Sequence, residues 1–362
     1  MVAVKVFIGT ALSVALAGAL GAPAAAHDMR HGATTFQQEN LVSDQPGVAA
    51  LTDPNLVNPW GLSHGPNTPI WVSDNGADVS TLYRTDTPGS PVTQVPLVVS
   101  IPGGAPTGQV FNGTSAFTVP GTSKPALFIF AGEDGDLSAW NQAVAPVTSA
   151  VPVGHTRDSV YKGLALVDTD AGPHLLAANF HRNRIDVFNG SFDRVRSRHA
   201  FRDPNLPAGY APFNVAAVGD RVFVTYALQD ADAGDDVAGP GHGFIDVYST
   251  QGRFLHRFAS RGALNSPWGM TIAPPSFGQF AGDLLVGNFG DGRIHAFDPR
   301  SGRFQGTLRA TSGRPLTIDG LWALVVGDPV AGGTDAVWFS AGPDGEQHGL
   351  LGLLRAAEHG RR

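Results

Sequence analysis

Gly61, Gly113, Gly163, Gly269 and Gly320 recur along this chain at intervals of 52, 50, 106 and 51 residues, the third interval spanning two periods. A repeat near fifty residues, carried by short apolar runs between turn residues, predicts an all-β fold: a six-bladed β-propeller of four-stranded antiparallel blades. The register gives six openings, each an inner strand following a turn. They are Asn58-Pro59-Trp60-Gly61, Phe111-Asn112-Gly113, Tyr161-Lys162-Gly163, Pro212-Phe213-Asn214, Pro267-Trp268-Gly269 and Ile318-Asp319-Gly320. Alternating segments such as Arg184-Ile185-Asp186-Val187-Phe188 supply later strands whose two faces fill the gaps between blades. Blades are expected at about 46–100, 101–150, 151–205, 206–258, 259–312 and 313–357. The last of these runs short of chain. The strand-like segment 34–41 is therefore expected to supply its outer strand and close the ring, removing two open edges.

The composition fits many short strands: 46 Gly and 27 Pro punctuate a chain that is 42% hydrophobic. With no cysteine, disulfides and thiolate chemistry are excluded and the fold rests on packing. The formal charge is −7, and the basic residues read as scattered, which argues against a nucleic-acid partner. Residues 1–26 read as a secretory signal peptide, with Lys5 before a short apolar run and Ala24-Ala25-Ala26 before His27. The mature chain, 27–357 with a frayed tail at 358–362, is thus expected to be secreted, without a transmembrane segment, and monomeric. No nucleophile elbow, zinc-protease helix motif or phosphate loop is present.

Several strings together carry a resemblance. Asn58-Pro-Trp-Gly-Leu-Ser63, Asp235-Asp-Val-Ala-Gly-Pro-Gly241 after Gln229-Asp-Ala-Asp232, Ser266-Pro-Trp-Gly-Met270, Ile318-Asp-Gly-Leu-Trp322 and Ser340-Ala-Gly-Pro-Asp-Gly345 resemble an uncharacterised family of secreted bacterial proteins. Some members of that family end in a PEP-CTERM sorting tail, which this sequence lacks. The repeats are similar to NHL repeats and, more distantly, to the six-bladed lactonases of the gluconolactonase and regucalcin type. The resemblance implies the propeller frame and export, and it implies no particular activity.

Where inner strands begin, six loops converge on one mouth of the central channel, the usual place for a propeller's ligand. Six residues at these starts form the candidate ligand site: Trp60, Asn112, Lys162, Asn214, Trp268 and Asp319. Two indoles flanking a carboxylate, with amides opposite, suit a carbohydrate-like polar ligand; the same tryptophans could instead be core between blades. The lactonase resemblance implies a divalent cation held by a Glu, two Asn and an Asp. Here Asn112, Asn214 and Asp319 could serve, with Glu133 as a fourth oxygen donor, while Lys162 opposes such an ion. A second constellation, Asp230, Asp232, Asp235 and Asp236 in the long blade-four loop, could share Ca2+ outside the EF-hand pattern or could be a solvated acidic tip. The sequence therefore points to a propeller that binds a small polar ligand, or an extracellular protein or polysaccharide. A metal-dependent hydrolase of the lactonase kind stands as the alternative.

Overall fold

The computed structural model describes residues 33–85, 90–196 and 200–357; residues 1–26, expected to be a signal peptide, and the tail 358–362 lie outside them. Six antiparallel sheets follow one another along the chain. Their inner strands are Pro59–Ser63, Pro106–Phe111, Tyr161–Thr169, Tyr210–Val218, Pro267–Ile272 and Leu321–Val326, and each pairs with the next strand in sequence within its sheet. Second strands such as Phe128–Gly132, Leu284–Asn288 and Val337–Ala341 are buried along their whole length. Apolar residues fill both faces there because each blade lies between two others, and this stacking supplies the hydrophobic stability.

The ring closes as the sequence implies. Phe36–Ser43 pairs antiparallel with Leu350–Ala356 as the fourth strand of blade six, from Phe36 opposite Ala356 to Ser43 opposite Leu350. Phe36, 1% exposed, packs against Phe277 and Phe280 of blade five, with ring centroids 4.8 and 5.8 Å away. Burying such a ring is worth about 2–3 kcal/mol, so the closing strand is held by apolar packing as well as by its ladder.

All six inner strands carry a register shift near their first residues. A bulge of this kind places one extra residue on the inner strand and re-aims its side chain. The residues at the bulges are Trp60, Thr107, Lys162, Phe213, Trp268 and Trp322. The positions that follow are Gly61, Gly108, Gly163, Asn214, Gly269 and Ala323, and at these the inner strands crowd one another. A Cβ on Gly61 would overlap the Thr107 carbonyl oxygen, and one on Gly163 would overlap the Asn214 side chain. This ring corrects the expected register in two blades. Gly113 lies beyond the inner strand of blade two, five residues after Gly108. Gly320 is a turn residue with φ +63°, packed on Gly342 before the strand of blade six begins.

Candidate functional site

The bulges gather their side chains on the channel axis. Trp60 stacks on Trp322 with centroids 3.6 Å apart, Trp268 stands edge-on to both at 6.3 and 5.7 Å, and Phe213 lies 5.9 Å from Trp322. Residues from blades one, four, five and six can meet in this way only at the hub. Trp60 and Trp268 are 2% and 4% exposed, so they plug the channel and offer no open face to a sugar. The expected indole platform is therefore replaced by an aromatic floor, because the bulges turn these rings inward against one another.

On this floor stands Lys162. Its Nζ lies 4.9 Å from the Trp60 ring centroid, and its backbone carbonyl accepts a hydrogen bond from Trp268 Nε1 at 3.1 Å. The side chain is 1% exposed, yet Nζ donates to Glu133 Oε1 at 2.5 Å and to Asp235 Oδ1 at 2.7 Å. Burial works against this charge, but the two carboxylates outweigh it and hold the ammonium pKa above its ordinary 10.5. Glu133 comes from the turn after the second strand of blade two and Asp235 from the long blade-four loop, so three blades meet in one ion-pair cluster.

A second polar layer comes from blades one and six. Asn58 Nδ2 donates to Glu346 Oε2 at 2.7 Å and to Asn75 Oδ1 at 3.2 Å, while Asn75 Nδ2 donates to Glu133 Oε2 at 3.3 Å. Trp322 Nε1 donates to Asn58 Oδ1 at 3.1 Å, tying this layer to the floor. Burial pushes the Glu346 carboxyl above its usual range, against the Asn58 hydrogen bond and the charge of Lys162. Backbone geometry fixes the layer: Asn58 has φ +46° before Pro59, and Glu346 has φ +68°. Both lie in the left-handed region that non-glycine residues seldom occupy, where strain is commonly held at sites with a task. Asn58, Asn75 and Glu346 were not among the sequence candidates, although Asn58 and the Ser340 to Gly345 string had already stood out as motifs.

The other candidates separate. Asn112 Oδ1 accepts from the Thr114 amide and hydroxyl, and its Nδ2 donates to the Ala116 and Ala126 carbonyls, so it braces its own hairpin. Asn214 donates to the Trp268 carbonyl at 2.8 Å and accepts from the Val215 amide. Asp319 is exposed and accepts from the Asp344 amide at 2.9 Å. Of the four oxygen donors expected around a channel cation, only Glu133 reaches the mouth, and there it faces an ammonium. The residues present do not fit a divalent ion in the channel, because Lys162 already takes the carboxylates such an ion would need. The blade-four acids diverge as well. Asp230 accepts from the Gly234 amide, Asp232 is exposed, Asp235 turns to Lys162, and burial pushes the carboxyl of partly buried Asp236 upward. Among the described residues no group of three or more His, Cys, Asp or Glu is gathered to hold a metal.

Below the floor, the same inner strands line an open recess of about 370 Å³, with Leu62, Val110, Leu164, Val215, Met270 and Leu324 on its walls and Ser63, His64, Gln109 and Asn214 among them. Both ends of the channel are thus built from consecutive residues of the same strands.

No family model matches the chain. Two mimivirus (Acanthamoeba polyphaga mimivirus) proteins are similar along most of it. Uncharacterized protein R648 is 35% identical over 337 residues, covering 90% of this chain and 81% of its own length. Uncharacterized protein L690 is 34% identical over 343 residues, covering 90% and 87%. Among solved structures, virginiamycin B lyase from Staphylococcus aureus has a TM-score of 0.52 at 13% identity, over 89% of this chain and 99% of its own. An α-L-arabinanase from Penicillium chrysogenum, complexed with arabinobiose, has a TM-score of 0.54 at 12% identity, over 88% and 98%. At such identities these structures share the fold alone.

Proposed function

We propose that this chain, which belongs to one family with the mimivirus proteins R648 and L690, is a binding protein that takes a neutral, carbohydrate-like ligand at the Lys162 mouth of its channel. The observation that carries this reading is a buried ammonium held between Glu133 and Asp235 at the point where loops of several blades converge. Three carboxylates, Glu133, Asp235 and Glu346, surround one cation, so an anionic ligand would meet net repulsion. Hydroxyl donors suit the site, because Asp235 Oδ2 and Glu346 Oε1 have no protein donor among the described residues, while Asn75 offers an amide. The floor is closely packed and preformed, with Trp268 and Trp322 hydrogen-bonded and Trp60 Nε1 without a partner among the described residues, and a preformed floor lowers the entropy lost on binding. The metal-dependent lactonase alternative loses support because the ammonium stands where its cation would act. Export behind a signal peptide and kinship with the secreted bacterial propeller family belong to the same reading, with an extracellular polysaccharide as the natural source of such a ligand.

Calorimetric titration with neutral xylo-, cello- and malto-oligosaccharides tests it. At least one series should bind, and Asp235→Asn should weaken that binding about tenfold, the loss expected for one charge-assisted hydrogen bond. Absence of binding at 10 mM (roughly the weakest affinity worth calling specific), preference for a polyamine, or equal affinity in the variant would each overturn the reading.

A further inference from the structure

The basic residues are not scattered, contrary to the expectation from composition. Six arginines fall between Arg182 and Arg202, a quarter of the 24 basic residues of the chain. One of them, Arg198, lies outside the described residues; the other five line a single groove on the outer rim of blade three, remote in the blade from its inner strand.

The groove runs along the outer strands of blade three. Among the described residues its fourth strand is Arg194–Val195, which pairs with Val187 and Phe188, and no described residue pairs with the outer side of Arg184, Ile185 and Asp186. In blade four the corresponding strand, Phe254–Ser260, covers the third strand from Phe244 to Tyr248. Beside this edge lies a cavity of about 740 Å³, and a second of about 680 Å³ opens on the blade's other side. Arg182, Arg184 and Arg194 line both. The two cavities thus share one crest of guanidinium groups.

That crest is fixed from beneath. Asp186, 3% exposed, accepts from Arg184 Nε at 2.7 Å and Arg194 Nη2 at 2.6 Å on one carboxylate oxygen; its other oxygen accepts from Asn179 Nδ2 and the Tyr161 hydroxyl. One buried charge therefore orients two guanidinium groups that remain 42% and 35% exposed. Arg182 makes a surface ion pair with exposed Asp158 at 2.7 Å. Arg196 and Arg202 have no carboxylate partner among the described residues. In the larger cavity five arginines face Asp186 and Asp203, and Asp203 is taken by Arg257. A chain of net charge −7 thus concentrates a positive groove on one blade.

We infer that this rim is a second binding site, independent of the channel mouth, for an acidic polysaccharide bearing carboxylate or sulfate groups. Oriented guanidinium forks match planar or tetrahedral oxyanions. The aspartates interleaved with them, Asp158 and Asp193 on the smaller cavity, would repel closely spaced phosphates but can accept sugar hydroxyls. Ile185, Leu206, Pro207 and Pro212 give the groove an apolar wall for C–H faces. No exposed aromatic row for stacking bases lines it, which favours a polysaccharide over single-stranded nucleic acid.

Fluorescence-anisotropy titrations with labelled polygalacturonate, a labelled heparin fragment and a labelled single-stranded DNA of about 20 nucleotides, enough for a stacking groove, test the site and separate carboxylate from sulfate recognition. The intact protein should bind at least one polysaccharide at about 50 mM salt, more tightly than DNA, and lose affinity steadily as salt rises. Arg196→Gln with Arg202→Gln removes two cations that hold no structural pair, so the fold should survive, which circular dichroism checks. Affinity should fall at least fivefold and the salt slope should become shallower by about two, one per lost contact. Arg300→Gln with Arg303→Gln, on a hairpin of blade five, should change neither. The inference is overturned if neither polysaccharide binds, if DNA binds most tightly, or if the blade-three and blade-five variants behave alike.

Discussion

The two ends of the central channel are made from the same six strands and differ in almost everything else. Above the aromatic floor stand Lys162, Glu133, Asp235, Glu346, Asn58 and Asn75, joined by short hydrogen bonds. Below it, Leu62, Val110, Leu164 and Met270 line an open, mostly apolar recess that also takes in Ser63, His64, Gln109 and Asn214. A propeller that needed only stability could have kept the upper end apolar too, since a buried ion pair seldom outperforms a hydrophobic replacement. The upper end instead gathers polar side chains from five blades around one ammonium, whose own two partners come from blades two and four. We read this difference as the mark of a site at the mouth and of mere packing below.

Removing the partners of the ammonium should give the largest effect. Glu133→Gln with Asp235→Asn leaves Lys162 buried without a carboxylate and should destabilise the fold by about 3 kcal/mol in urea unfolding, at the low end for a buried pair because both acids are partly exposed. Full stability in that double variant would mean that the upper end is packing as well. At the lower end, Leu62→Ala should cost about 2 kcal/mol, at the low end for a core leucine because the side chain already borders the open recess. It should leave ligand binding at the mouth intact. A loss of binding would erase the contrast between the two ends.

The smallest expected effect lies in alkaline stability. The folded pKa of Lys162 lies above the ordinary 10.5, so the folded state holds its proton more tightly than the unfolded chain. The stabilisation is complete below the unfolded value and is lost as pH rises through the folded one. Lys162→Met should therefore lie within about 1 kcal/mol of the parent at neutral pH, because the two carboxylates it leaves can reach water. It should also flatten the decline in stability above about pH 10. An unchanged decline in chemical unfolding across that range would place the titrating group elsewhere.

Much of this architecture was legible in the sequence. The fifty-residue period of small residues gave the blade count, and the shortage of chain after Leu354 pointed to a closing strand near Thr34. The misreadings have a common cause. Gly113 and Gly320 keep the fifty-residue period better, at 52, 50 and 51 residues, than the residues that actually face the axis, Gly108 and Ala323, at 47, 55 and 54, so spacing alone selected the turn glycines over the bulge positions. Trp60, Lys162 and Trp268 were found because their glycines are the true ones. Whether those indoles would be open or stacked depended on the bulge, which is a feature of pairing and leaves no signature in one strand. Asn75 and Glu346 lie in turns outside the repeat, so no period led to them. The arginines were visible in plain order, but a total charge of −7 hid how they are distributed.

The claim that the Lys162 mouth is where this protein meets its ligand is tested most directly by a crystal structure with the tightest-binding neutral oligosaccharide. The account predicts sugar density within about 3 Å of Asp235 and Glu346, with the Lys162 ion pairs in place and the lower recess free of sugar. Sugar density confined to the lower recess or to the blade surfaces, or a metal ion displacing the ammonium from its carboxylates, would contradict it.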